Sequence, residues 1–444
     1  MTEDSPTNLT RRQYAKLSAA LTAGAVGTAG CLGDDDDGSG GEGGAESISL
    51  LTWNLEFLED SIEGWIDDFQ NTEPPVEADY SDTDVEWVDR MDDQILSYYQ
   101  SQLQTDDPVT VFDTLGMSFT RFAEEGIFVD LEEYASSDFM SKFGDESLEY
   151  ATFDGDLVRM PFYQNAGATY INTELFEEAG IDEYPYSVDE FFDTAERIVD
   201  ESDADYGLTT LTFDYRIWPF FWAEGIDVLN ESDDAAAFNT SRAAEILERF
   251  HELTEDGVIP EVTWTGFVEE QAQQFGAGDT GMFIAPLSNV RRVQGYGDWI
   301  DEETLELTLP PGNRGNYEAN GLCITEPNTS EAEREAAWDL IRSILSDKWQ
   351  EDFLRNTTVM AGNLDVQEEL SNDEEFRENN PLLAMAYDLW PELEEGYVMA
   401  PSVPEASEIA DILDSEVSNA ALGEKEPEDA LDDAEDRVND ALSG

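Results

Sequence analysis

One histidine, His251, and two cysteines, Cys31 and Cys323, stand in a chain of 444 residues. A Ser-His-Asp relay, a Cys/His zinc site and a disulfide scaffold are all poorly served by that inventory. Basic residues are scarce as well: 21 Lys+Arg face 104 Asp+Glu, for a formal net charge of −83. With no basic patch to release counterions from phosphates, nucleic acid and anionic membrane surfaces are excluded as partners. Self-repulsion of this size strains a compact state in dilute buffer, whereas molar salt shortens the Debye length to about 3 Å and removes most of the penalty. The composition therefore predicts adaptation to a saline milieu and unfolding on desalting. A long apolar run is also missing; the stretch Leu17 to Gly30 is too short and too rich in Ala and Gly for a comfortable membrane span. What is present is 40% hydrophobic and 11% aromatic residues, enough to build real cores, in a length that suggests two domains.

The first residues read as an address and an anchor. Thr10-Arg11-Arg12-Gln13-Tyr14-Ala15-Lys16 ahead of the apolar stretch resembles a twin-arginine export signal. Thr28-Ala29-Gly30-Cys31 resembles a lipobox, with Cys31 the residue to be lipidated. Gly and Ser around the run Asp34-Asp35-Asp36-Asp37 make the next segment a flexible, solvated tether. The expected divisions are residues 1–31 for the signal and 32–45 for the tether, which leaves the mature protein on the outer face of the cell membrane, held there only by lipid.

From Ile48 onward short apolar strands alternate with amphipathic helices, the pattern of an α/β protein. Ile48 to Trp53 reads as a strand, followed by a helix burying Ile62, Trp65, Ile66 and Phe69. A second helix through Ile95, Tyr98, Tyr99 and Leu103 leads past Pro108 into a strand Val109–Phe112. Ser187 and Glu190 form a capping box that starts a helix burying Phe191, Phe192, Ala195, Ile198 and Val199. Leu305, Leu307 and Leu309 alternate as a strand, and Cys323 in Gly321–Thr325 reads as a small buried hydrophobe. Helices through Leu340 and Ile344, and through Ile412 and Val417, follow; Pro427 starts the last.

Several segments, in order, carry a resemblance. Pro161-Phe162-Tyr163-Gln164-Asn165 with Tyr170–Phe176, Ser187–Phe191, Tyr215-Arg216-Ile217-Trp218-Pro219, Phe275–Met282 and Pro401-Ser402-Val403-Pro404 resemble the extracellular solute-binding proteins of family 1. The resemblance implies an α/β chain with a two-lobed, periplasmic-binding-protein-like (type II) fold, a ligand cleft between the lobes, and crossings that act as a hinge. Chain order would put residues 46–164 and 320–365 in the first lobe, and 165–319 and 366–444 in the second. It also implies a substrate-binding lipoprotein that hands a small solute, a sugar by this reading, to the permease subunits of an ABC importer, with no cofactor and no catalysis.

A sugar offers two C–H faces and a rim of hydroxyls, so its site needs aromatic platforms and polar rim groups. Trp53 at the end of the first strand and Tyr215 after the strand Leu208–Phe213 are expected platforms, with core packing as the alternative for each. Trp218, Trp222 and Trp264 are further aromatic candidates; a Trp-Pro opening a helix also packs without ligand. Asp113, Thr114, Tyr163, Asn165 and Asn320 are the expected rim groups. Two platform tryptophans of the family's maltodextrin-binding members are missing, at Ala285-Pro286-Leu287 and near Ile409-Ala410, which argues against maltodextrin but not against a smaller sugar. A polyamine, a phosphorylated polyol held by Arg216, Arg291 or Arg292, an iron chelate, and a secreted glycosidase are the competing readings.

Overall fold

The computed structural model describes residues 45–443 apart from 54, 56, 57, 91, 115, 117, 118, 212–215 and 358. The export signal, Cys31, nearly all of the tether and Tyr215 lie outside the described residues.

Three parallel strands open the structure: β1 (Ser47–Trp53), β2 (Asp84–Arg90) and β3 (Val111–Thr114). The helices Glu59–Gln70 and Asp92–Gln102 connect them, as parallel strands require. The first buries Ile62, Trp65 and Phe69, in the spacing the sequence shows, while Ile66 stays half-buried. A small hairpin, β4 (Thr152–Phe153) and β5 (Asp156–Leu157), precedes the longest strand, β6 (Met160–Asn172). The remaining strands are β7 (Tyr206–Thr210), β8 (Thr280–Pro286), β9 (Leu305–Thr308), β10 (Asn316–Ile324), β11 (Met360–Ala361) and β12 (Val398–Met399).

β6 organises the molecule. Its 13 residues are all buried, so its sequence shows no two-residue alternation and does not announce itself as one strand. At about 3.3 Å per residue it is long enough to serve two sheets in succession. From Met160 to Ala166 it pairs antiparallel with β10, and Gln164 and Tyr163 also face β11. From Gly167 onward it pairs with β8, and from Thr169 with β9. The strand order is β2-β1-β3-β10-β6-β8-β7.

Two cores lie on the β1 side of this path, one lies on the β8 side, and a fourth takes residues from both, Tyr150 and Met360 among them. On the β1 side, Leu50, Trp65, Val111, Phe162 and Ile341 fill one face, and Leu51, Tyr99, Phe112 and Cys323 fill the other. On the β8 side, Phe191, Phe192, Trp218, Phe250 and Ile284 pack with residues of the helices Ala406–Ala421 and Pro427–Leu442. A further core joins Phe275, Phe283 and Leu305 to the helix Pro381–Glu394. The product is a two-lobed α/β molecule. Among the described residues no helix is long and apolar enough to cross a membrane.

Local signals behave as their chemistry dictates. The Ser187 hydroxyl accepts from the Glu190 N–H at 3.4 Å, and the Glu190 carboxylate accepts from the Ser187 N–H at 2.9 Å, capping the helix Val188–Glu201. Cys323 is free and buried in β10. One strand is shifted. The expected segment Val109–Phe112 becomes Val111–Thr114, because the Thr110 N–H bonds the Ser49 hydroxyl at 3.0 Å instead of joining the ladder. Asp113 and Thr114 therefore lie inside the sheet, opposite Leu322 and Gly321, and both are 0% exposed.

Candidate ligand-binding site

The strands β2, β1 and β3 run parallel and finish at the same edge, where α/β sheets collect ligands. Thr52 pairs with Asp89 there, and Asp113 lies one step beyond the Leu51–Phe112 rung, on the other side of Thr52. The Thr52 hydroxyl donates to Asp89 Oδ1 at 2.7 Å, and the Leu55 N–H donates to the same oxygen at 2.9 Å. Asp89 is thus satisfied. Asp113 is less well served: among the described residues no donor reaches its carboxylate at full hydrogen-bonding geometry, although the Trp53 backbone N–H is near it. Burial pushes its carboxyl well above the usual carboxylate range; the Trp53 backbone N–H pulls against that rise, the charge of Asp89 adds to it, and Arg159 opposes it more weakly.

Around Asp113 the two long antiparallel strands bring further groups. Tyr163 on β6 faces Asn320 on β10, and the Asn320 amide donates to the Tyr163 hydroxyl. Burial raises the Tyr163 phenol well above its ordinary value, helped by the charges of Asp113 and Glu318. The Asn320 carbonyl oxygen accepts from the Gly116 N–H at 3.2 Å, so one amide ties Gly116 to Tyr163 on β6. Thr114 Oγ1 donates to the Gly321 carbonyl at 2.9 Å. Asp113, Thr114, Tyr163 and Asn320 are therefore one cluster at one sheet edge, with half-buried Trp53 at the end of the neighbouring strand.

The other expected residues are placed differently. Asn165 lies where β6 changes partners, and its amide is engaged with Ser288: Nδ2 donates to Ser288 Oγ at 2.9 Å and Oδ1 accepts from the Ser288 N–H at 3.2 Å. Trp218, Trp222 and Trp264 are 1%, 6% and 4% exposed and belong to the core of the second half. Trp218 meets Trp222 edge-on at 5.4 Å, and Trp264 meets Phe250 edge-on at 5.2 Å. No indole face there is open as a platform, which is the packing alternative to sugar stacking. Of the arginines named for a phosphate, Arg216 pairs with Asp414 at 2.7 Å, Arg292 lies 3.6 Å from Glu269, and Arg291 donates to the Arg355 carbonyl at 2.9 Å. Leu287 and Ile409, near the missing platforms, are fully buried.

Two groups at the cluster were not singled out from sequence. Glu318 on β10 is half-buried and in register with Asn165. Arg159, just before β6, is 1% exposed and reaches Thr114 and Gly116. The one available signal was its setting: a lone cation inside the apolar run Leu157–Tyr163 of an acid-rich chain. Elsewhere, a cavity of about 410 Å³ is lined by Asp182, Glu183, Glu190, Asp193 and Arg197, of which Glu190 is engaged in the capping box and Arg197 on the carbonyls of Ala179 and Gly180. Among the described residues no group of His, Cys, Asp and Glu is arranged to hold a metal ion.

Residues 65–382 match the family described as bacterial extracellular solute-binding protein. A binding protein of Brucella abortus is 29% identical over 329 residues, covering 70% of this chain and 74% of the relative. The diacetylchitobiose binding protein DasA of Streptomyces coelicolor is 24% identical, covering 81% of this chain and 84% of the relative. Among solved structures, an ABC substrate-binding protein from Listeria monocytogenes in complex with cycloalternan superposes with a TM-score of 0.74 at 19% identity, covering 90% of this chain and 99% of that one.

Proposed function

The chain belongs to the bacterial extracellular solute-binding protein family, and from that premise we propose that it captures a small carbohydrate between its lobes and delivers it to an ABC permease. The observation that carries the reading is Asp113: a fully buried carboxylate, at the sheet edge where three strands end, that among the described residues has the Trp53 backbone N–H near it but no donor at full hydrogen-bonding geometry. An unpaired buried acceptor is expensive, and a ligand hydroxyl or amide N–H arriving there removes the penalty. Thr114, Tyr163 and Asn320 supply further polar atoms, while Trp53 and Tyr215 remain the proposed platforms for the sugar faces. The relatives support the ligand class, since diacetylchitobiose and cycloalternan are both carbohydrates. They are binding proteins, which favours capture over turnover; hydrolysis of an aryl-glycoside by the purified protein would reverse that ranking.

The change of partners along β6, between Ala166 and Gly167, supports a hinge close to the 164/165 boundary. We assign 46–164 with 320–365 to one lobe and 165–319 with 366–444 to the other. Closure would desolvate the site, which makes every unmatched hydroxyl count and gives selectivity. Twin-arginine export and lipidation at Cys31 complete the proposal and would hold the protein beside its permease.

A phosphorylated polyol is disfavoured because Arg216, Arg291 and Arg292 are engaged elsewhere. A polyamine is the second reading, favoured by the acidity of Asp89, Asp113 and Glu318 at one edge. Thermal-shift measurements in molar KCl with diacetylchitobiose, maltose and spermidine separate the two. A ligand at a hundredfold excess over its dissociation constant adds about 2.7 kcal/mol of stability. A shift with a sugar and none with spermidine supports the proposal; the opposite pattern transfers the site to polyamines.

A further inference from the structure

Arg159 is 1% exposed and forms no ion pair with any described residue, in a chain where acids outnumber bases by 104 to 21. Its guanidinium is directed instead at backbone and rings. One terminal nitrogen donates to the Gly116 carbonyl at 3.2 Å and lies 3.4 Å from the Thr114 hydroxyl; the other donates to the Tyr150 carbonyl at 3.1 Å. The guanidinium carbon stands 3.6 Å from the centre of the Phe119 ring and 4.7 Å from that of Tyr150. The strand beside it is cut to fit. A Cβ at Gly321 would come within 2.9 Å of Arg159 Cδ and equally close to the Met160 carbonyl oxygen, and the register of β10 shifts between Asn320 and Gly321.

Gly116 is therefore gripped from both sides, its N–H by Asn320 and its carbonyl by Arg159. Gly116 lies two residues beyond Thr114, the last residue of β3. We propose that Arg159 is a positioning residue of the ligand site, fixing Gly116 and the end of β3 in the geometry that presents Asp113 and Thr114 before any ligand arrives. A planar fork with donors on several edges suits this task, because one group reaches three acceptors while stacking on two rings; the point charge of a lysine does not. Holding Gly116 and the end of β3 in advance lowers the ordering cost of binding. The inference rests on the sugar-site reading for its functional meaning, while the clamp itself stands on the geometry.

The charged and titratable groups facing Asp113 are Asp89 from β2, Arg159 before β6, Tyr163 from β6 and Cys323 from β10. Arg159 is the one cation among them. The test compares wild type with R159M, R159K and G321A, all in the full protein in molar KCl. Without ligand, hydrogen exchange in a peptide covering 111–122 is expected to quicken about tenfold or more in R159M, R159K and G321A, with a peptide covering 268–294 unchanged. Unchanged protection at 111–122 in all three overturns the clamp. With diacetylchitobiose as the probe, R159M is expected to bind at least tenfold more weakly at neutral pH. Its acid limb should move to higher pH, because loss of the cation favours the neutral Asp113 carboxyl. R159K keeps the charge, so its acid limb should stay near that of wild type while its affinity remains low; a purely structural role would move both variants alike and overturn the proposal. If wild type ignores every sugar, the ligand reading fails and the exchange data alone decide the clamp.

Discussion

Two arginines are each 1% exposed, one in each half of the molecule, and they are buried by opposite means. Arg216 has a carboxylate, Asp414, at 2.7 Å and the Ser418 hydroxyl at 2.8 Å, and it binds the segment after β7 to the helix Ala406–Ala421. Arg159 has two carbonyls, a hydroxyl and two ring faces. An acid that shares its surroundings, Asp113, has the Trp53 backbone N–H near it but, among the described residues, no donor at full hydrogen-bonding geometry. A folding chain with so many acids could neutralise both arginines. That it neutralises only Arg216 separates a staple, whose charges cancel, from a site, whose acceptor is kept open.

The comparison can be broken at several points. The largest effect should come from salt. Transfer from molar KCl to dilute buffer lengthens the screening distance from about 3 Å to 30 Å. With a net charge of −83, both halves are expected to unfold in the same transition, followed by circular dichroism. A sharp melting transition unchanged in low salt would remove the saline adaptation while leaving the contrast of the two arginines intact.

Next in size, Asp414→Ala leaves Arg216 buried without its carboxylate. Breaking a buried pair costs about 3–5 kcal/mol, and the partial exposure of Asp414, at 22%, points to the lower end. R159M removes a cation that has no such partner and strands two carbonyls, for about 1–3 kcal/mol. Chemical denaturation of both variants in the same salt sharpens the comparison; equal losses would erase it.

Asp113→Asn runs the other way. The carboxyl is raised in the folded state above its ordinary value of 3.8, so its ionisation disfavours folding. The penalty is absent where the group is protonated in both states, below about 3.8. It grows as pH rises from there towards the folded value and is fully present above it. The variant is therefore expected to be more stable than wild type by about 1–4 kcal/mol near neutral pH, with the gain vanishing below pH 4. A stability gain that persists at pH 3 would mean that the charge is not its source. The smallest effect belongs to Ser288→Ala. Asn165 loses one of its two bonds to Ser288, for about 0.5–1.5 kcal/mol in a melting experiment.

The same contrast explains what the sequence discloses. The capping box at Ser187 and the helical faces of Trp65 and Leu413 are local patterns, legible because one face meets a core and the other water. β6 is hidden for the converse reason: buried on both faces, it has no alternation to read. Asp113 and Thr114 read in the sequence as polar groups near a strand end, but only the Ser49–Thr110 side-chain bonds reveal that the strand starts two residues late and encloses them. Trp218 and Trp222 are equally apolar in a core and on a platform, so spacing does not distinguish them. Arg159 escapes because its partners are carbonyls and rings, which leave no complementary charge in the sequence.

Calorimetric titration of wild type and Asp113→Asn with diacetylchitobiose in molar KCl bears most directly on the central claim that the open acceptor at the β3 edge receives a sugar. The expected result is saturable binding by wild type and an affinity lower by about ten- to a hundredfold in the variant, the worth of a buried hydrogen bond lost to a ligand donor. Equal affinity in the two proteins would contradict it.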